Sequence, residues 1–261
     1  MAILCGGRGT RLQEHTQEIP KPLVEIGGMP ILWHVIGLYA AQGFRRFLLA
    51  TGYRGELIER FVAEHRWPEG IAVECHATGE RTPTGGRVRM LAGALAGQET
   101  FCLTYADGLA DIDLAALLDF HRSHRALATM TAVRPLLQFG VADIKPDGTV
   151  AGFREKPRSE HWINGGFFCM RAPVLELLSE HSVLEGEPMR RLAAEGQLRA
   201  HRHRGFWECM DTYKDAVALN DMWAQGRAPW TPWPGAARER RAASTAAAHR
   251  AARPPRAPAR P

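Results

Sequence analysis

Short apolar runs alternate with longer segments in which apolar residues return every three or four positions. Residues 2–5, 47–50, 71–75, 101–105 and 128–133 have the length and composition of buried strands. Between them, residues 30–43 place Ile31, Leu32, Val35, Ile36, Leu38 and Tyr39 at a spacing that predicts an amphipathic helix. Residues 56–65 do the same with Leu57, Ile58, Phe61 and Val62. Further helices are expected over 88–95, 114–124, 173–178, 189–195 and 213–225, and a strand over 199–207. Asp147-Gly148 sits between two strand-like runs and predicts a hairpin. Strands alternating with helices of this length indicate βαβ units, so the fold class is α/β, with a mostly parallel, Rossmann-like sheet and helices on both faces.

The pattern ends near Trp233. Residues 1–233 therefore read as one domain, and 234–261 as an Ala/Arg/Pro-rich tail too poor in apolar side chains to form a core; it is expected to be disordered. Charge sharpens that boundary. The chain of 261 residues carries a formal +5, but the tail holds seven arginines against the single acid Glu239, and the rest sums to −1. The basic character belongs to the tail and gives no reason to expect nucleic-acid binding by the domain. No apolar run reaches the roughly 18 residues of a membrane helix, the N-terminal run is too short for a signal peptide, and a cytoplasmic protein without a membrane partner is expected. The five cysteines are scattered without a C-x-x-C pair, which favours buried reduced thiols. His121, His124, His201 and His203 lack the Cys or carboxylate partners of a zinc site and are expected to be solvated or on a helix face. Trp162, Trp207, Trp223, Trp230 and Trp233 are expected to anchor the core or subunit contacts.

The candidate chemistry begins where the first strand ends. Gly6, Gly7 and Gly9, interleaved with Arg8 and Arg11, combine backbone that can approach a ligand with fixed positive charge, a pattern suited to a polyphosphate. It is neither a dinucleotide fingerprint nor a P-loop. Asp107 follows the strand at 101–105, where parallel sheets bind ligands, and is a candidate Mg²⁺ ligand. Asp111 or Asp113 better suits a helix cap.

Gly6-Gly-Arg-Gly-Thr-Arg-Leu12 with Pro20-Lys-Pro22 resembles the signature of the sugar-1-phosphate nucleotidyltransferases, or NDP-sugar pyrophosphorylases. Further motifs follow in order: Val24-Glu-Ile-Gly-Gly28, Thr84-Gly-Gly-Arg87, Asp107-Gly108, Glu155-Lys-Pro157, Ile163-Asn-Gly-Gly-Phe-Phe168, Gly205-Phe-Trp207 and Met210-Asp-Thr212. Together they look like the glucose-1-phosphate cytidylyltransferase branch. The resemblance implies a nucleotidyltransferase (GT-A-like) fold with a smaller β-rich sugar-binding part, and transfer of a cytidylyl group from CTP to a sugar 1-phosphate with Mg²⁺. It implies that Gly6, Gly7, Arg8, Gly9 and Thr10 wrap the triphosphate and that Thr84, Gly85, Gly86 and Arg87 face the base. Arg11, Lys21 and Lys156 would be catalytic; Glu155, Asn164 and Gly165 would bind the sugar, with Gly166 leaving room for the pyranose; Asp107 and Asp211 would hold the metal. A homo-oligomer is expected. Two departures stand out: Ala106 replaces the glycine usual before Asp107, and the segment before Thr84 is short.

Overall fold

The computed structural model describes residues 1–9 and 19–230. Thr10, Arg11 and the tail at 234–261 lie outside them. In chain order, β1 (Ala2–Leu4) is followed by a small ribbon of β2 (Glu25–Ile26) and β3 (Met29–Pro30), then α1 (Ile31–Ala41), β4 (Arg46–Thr51), α2 (Gly55–Glu64) and β5 (Ala72–Ala77). Next come α3 (Thr84–Met90), β6 (Thr100–Tyr105), β7 (Gly108–Ala110), α4 (Leu114–Arg122) and β8 (Ala128–Val133). The hairpin β9 (Val141–Ile144) and β10 (Val150–Arg154) precedes β11 (Ile163–Arg171), α5 (Glu187–Ala194), β12 (Leu198–Arg202), β13 (Trp207–Cys209) and α6 (Tyr213–Ala224).

Seven strands form the central sheet in the order β12-β8-β11-β6-β1-β4-β5. All pair in parallel except β11, which runs antiparallel to both neighbours. Strand alternation divides the core into two layers. Along β1 and the residue after it, Ile3 and Cys5 face the layer containing α1, α4 and α6, whereas Ala2 and Leu4 face the layer containing α3 and α5. The consequence for function is that β1, β4, β6, β8 and β12 all end at one edge, the edge where open α/β sheets bind ligands.

Three sequence expectations change. Helix α1 is buried on every side rather than amphipathic, because α6 and Trp230 cover the face turned away from the sheet. Trp230 donates to His34 across 3.3 Å, and His34 reaches the Ile26 carbonyl at 2.8 Å. The helix expected from residue 88 begins at Thr84, so Gly85 and Gly86 lie in its first turn. The strand expected over 199–207 is two: β12 stays at the sheet edge, and β13 leaves it to pair with β7. His121 meets the helix-face alternative, since it lies in α4, and it is buried against β8 with Nδ1 2.8 Å from Thr129 Oγ1; burial lowers its pKa to about 4, keeping the ring neutral. The expected helix cap holds, since Asp113 accepts from the Ala116 amide and caps α4.

Candidate active site

The site is assembled at the ends of β1 and β6. A cleft of about 330 Å³ is lined by Gly6, Gly7 and Gly9, by Lys21 and Asp107, and by Thr82, Thr84, Arg87 and Tyr105. An apolar groove of about 690 Å³ beside α6 is larger, lined by Ile19, Leu23, Tyr213 and Val217 among others. A polyphosphate needs cations and N–H groups, so the smaller cleft is the candidate.

Lys21 is placed by the chain on both sides of it. Pro20 and Pro22 restrict the backbone, and the Leu23 amide closes a tight turn on the Pro20 carbonyl at 2.8 Å. Asp107 and Asp211 are 104 positions apart in sequence and are brought together by the β7–β13 ribbon, in which Cys209 pairs with Gly108 and the Met210 amide donates to the Asp107 carbonyl at 2.9 Å. A capping box then fixes the start of α6: Asp215 accepts from the backbone amides of Asp211 and Thr212, and its own amide donates to Thr212 Oγ1. The result is a bridged triad, with Lys21 Nζ 2.5 Å from Asp107 Oδ2 and 2.6 Å from Asp211 Oδ1. Burial alone would push the lysine pKa down, but the charge and hydrogen bonds of the two carboxylates outweigh it and raise the pKa above its ordinary value. The ammonium is therefore secure at neutral pH.

Asp107, Asp211 and Cys209 form a group whose ligand atoms lie within 4.8 Å of one another. Two carboxylates suit a hard divalent cation such as Mg²⁺, which takes oxygen ligands. The thiol does not, and burial together with the charge of Asp107 raises the Cys209 pKa, keeping it protonated. The histidines His121, His124, His201 and His203 belong to no such group among the described residues.

The glycines have two different jobs. At Gly7 an added Cβ would meet nothing, so its face is open to a ligand. At Gly6 it would lie 2.0 Å from the Arg87 guanidinium, because Arg87 packs beneath the loop. Arg87 is buried, and its guanidinium donates to the carbonyls of Gly6 (3.0 Å), Thr51 (3.1 Å), Gly79 (2.8 Å) and Glu80 (3.4 Å) and to Thr78 Oγ1 (2.6 Å). It thus ties together the ends of β1, β4 and β5. Gly85 and Gly86 admit the neighbouring 180–184 loop, where a Cβ would sit 2.8 Å from Ser182 and 2.2 Å from the Glu180 carbonyl. Thr84 receives the Leu184 amide and donates to Glu185.

On the sugar side, Asn164 donates to the Tyr105 hydroxyl at 3.2 Å and accepts from the Gly166 amide at 2.9 Å. Gly165 and Gly166 make room for the protein's own Val133 and Tyr105. Tyr105 and Glu185 were not apparent as site residues. Tyr105 donates to Glu185, which joins Tyr105 to Thr84; burial first, then the Glu185 charge, raises the tyrosine pKa. Tyr105 could have been suspected as the last residue of a strand preceding Asp107, whereas nothing in the local sequence marks Glu185. Glu155 and Lys156 pair with each other at 3.7 Å, largely exposed, and make no ion pair with Lys21, Asp107 or Asp211. Arg8 pairs with Glu80 at 3.2 Å on the exposed rim.

Comparison with known proteins identifies the family. The nucleotidyl transferase family profile matches residues 1–218. The chain is 40% identical over 253 residues to a glucose-1-phosphate cytidylyltransferase of Salmonella typhimurium, covering 88% of this chain and 98% of that protein. It is 31% identical to a mannose-1-phosphate guanylyltransferase of Mycobacterium tuberculosis, covering 87% of this chain and 65% of that protein. In fold it is similar to HddC from Yersinia pseudotuberculosis, with a TM-score of 0.65 at 21% identity over 85% of this chain and 98% of that one. The chain belongs to the nucleotidyl transferase family.

Proposed function

We propose that this enzyme transfers a cytidylyl group from CTP to α-D-glucose 1-phosphate, giving CDP-glucose and pyrophosphate. The observation that carries the reading is the Lys21 bridge between Asp107 and Asp211 at the mouth of a glycine-lined cleft. The choice of base and sugar leans on the relative that matches nearly end to end. A phosphate oxygen of the sugar phosphate forms the new bond to the α-phosphorus, and the bond from that phosphorus to the bridging oxygen of pyrophosphate breaks. The nucleophile is already ionised, so the protein needs neither a general base nor a covalent intermediate; positioning and charge neutralisation suffice.

The Gly6–Gly9 backbone and Arg11 would hold the triphosphate, while Asp107 and Asp211 would hold Mg²⁺, which when bound would supply charge neutralisation at the phosphate oxygens. Lys21 must turn from the carboxylates toward the departing pyrophosphate before they can serve a cation. Asn164 and Glu155 address the sugar hydroxyls and Lys156 its phosphate. Tyr105 and Glu185 hold Asn164 and Thr84 in register.

The test is pyrophosphate exchange. With CDP-glucose and Mg²⁺, labelled pyrophosphate should enter CTP, and a panel of four NTPs against several sugar 1-phosphates should show CTP with glucose 1-phosphate as the preferred pair. Preference for another base or sugar would overturn the substrate assignment, and no exchange with any pair would overturn the reaction.

We also propose that the chain self-associates through the β9–β10 hairpin. Register puts Ile144 opposite Val150 and Ala142 opposite Phe153 on one apolar face, and Phe139, Ile144, Val150 and Phe153 are all exposed. A two-stranded ribbon is marginal in water without cover, and an exposed apolar patch of this kind suits a second copy. Light scattering should report an oligomer that Phe153→Asp reduces to the monomer; an oligomer unchanged by that substitution moves the interface elsewhere.

A further inference from the structure

We infer a second anion site, built for a phosphate-bearing small molecule, at the β8–β12 end of the ligand edge. Three guanidiniums surround one indole there: Arg134, Arg202 and Arg204 have their central carbons 6.0, 5.6 and 5.8 Å from the Trp162 ring centroid. Strand register produces the cluster. Ile163 pairs with Val133 in the antiparallel β11–β8 ladder, which sets Trp162 opposite Arg134, and Ala132 pairs with Arg202 in the parallel β8–β12 ladder, which sets Arg204 beside Arg134. Arg134 and Arg204 follow the ends of β8 and β12, as Asp107 follows β6, so all three emerge on the same side of the sheet. The cluster lies two residues from Asn164 along the chain.

Its charge is not neutralised internally. Arg158 adds a fourth guanidinium, donating to the Arg134 carbonyl at 2.8 Å, while Arg134 donates through Nε to the Ser159 carbonyl at 2.5 Å. Neither bond offsets charge. Among the described residues, none of the four arginines is ion-paired. Glu208 lines a cavity of about 80 Å³ together with Arg134 and Arg158 but pairs with neither, Asp111 is taken by His203 at 3.0 Å, and Glu160 is taken by Arg154 at 3.6 Å.

Holding several like charges around one ring is unfavourable unless something offsets the repulsion. The indole does part of this through cation–π attraction, which also orients the guanidiniums. It leaves the exposed N–H edges of Arg202 and Arg204 free to fork onto anionic oxygens. A multiply charged phosphate matches several such forks better than a single carboxylate.

The experiment is equilibrium dialysis of the full chain against labelled pyrophosphate in EDTA, comparing wild type with R202A/R204A. Wild type should hold one equivalent more than the variant. That difference does not depend on whether the Lys21 cleft also binds pyrophosphate, so its failure is separable from failure of the proposed reaction. R202K/R204K should keep the equivalent but bind it more weakly, because lysine retains charge without the fork. Arg204→Gln alone should weaken it by about tenfold, the loss of one charge-assisted contact. Equal stoichiometry in wild type and R202A/R204A would overturn the inference, as would retention of single-stranded RNA with no pyrophosphate bound. The melting temperature and the forward rate without added pyrophosphate should be unchanged in R202A/R204A, since both side chains are exposed.

Discussion

Lys21→Ala and Asp211→Asn are each expected to lower kcat by at least about a hundredfold, the scale of removing one group that stabilises charge only in the transition state. The two should nevertheless respond to Mg²⁺ in opposite directions. In the wild type, Lys21 competes with any cation for Asp107 and Asp211, since its ammonium lies 2.5 and 2.6 Å from them. Removing it takes one positive charge away from both carboxylates, so Lys21→Ala should reach half-maximal rate at lower Mg²⁺ while its ceiling stays low for want of a pyrophosphate partner. Asp211→Asn keeps shape but removes one of the two charges, so its Mg²⁺ requirement should rise. KM for glucose 1-phosphate should change little in either, because neither residue is assigned to the sugar. Steady-state rates across a Mg²⁺ titration measure all of this. Parallel Mg²⁺ curves in the two variants would show that Lys21 and the carboxylates do not share one cation position.

Two of the three residues carry local signs in the sequence, the prolines around Lys21 and the strand end before Asp107, whereas Asp211 is named only through the resemblance and the bridge from Lys21 to both carboxylates is not foreseen there. The parallel sheet was legible because period-2 and period-3.6 patterns are local. What could not be read is whatever depends on which distant segments meet. Helix α1 carries apolar residues suited to one buried face, and only the packing of Trp223 and Trp230 shows that its other face is covered too. The resemblance gives Gly85 and Gly86 to the base and Gly165 and Gly166 to the sugar, and what no local pattern could show is that a Cβ at each would meet the protein's own chain, at Glu180, Ser182, Val133 and Tyr105. The two exposed hairpin-end residues Glu155 and Lys156 show the reverse case: their pairing is local and ordinary, and only family resemblance speaks for a role with the sugar.

Arg87→Ala is expected to destabilise the fold by at least about 3 kcal/mol, lowering the melting temperature by roughly 6–12 °C for a domain of this size. The family resemblance implies that Arg87 faces the nucleotide base, yet its guanidinium already donates to Gly6, Thr51, Thr78, Gly79 and Glu80. Truncation would remove a charged donor from four carbonyls and a hydroxyl; the Gly6 carbonyl keeps the Tyr53 amide and the Thr51 carbonyl keeps Thr78, so the cost is that of several lost charge-assisted hydrogen bonds, each worth about 1.5–3 kcal/mol. It would also vacate the space against which Gly6 is packed, at 2.0 Å from a would-be Cβ. Lysine cannot substitute, because one ammonium has three donors at a single point and cannot span carbonyls on three strand ends. Arg87→Lys should therefore recover only a minor part of the loss. A side chain serving the base alone would behave otherwise: the melting temperature of the nucleotide-free protein would stay put and only KM for the nucleotide would rise. Calorimetry without ligand separates the two roles. A structural clamp that also lines the cleft, as Arg87 does, predicts both effects together, with the stability loss present before any nucleotide is added.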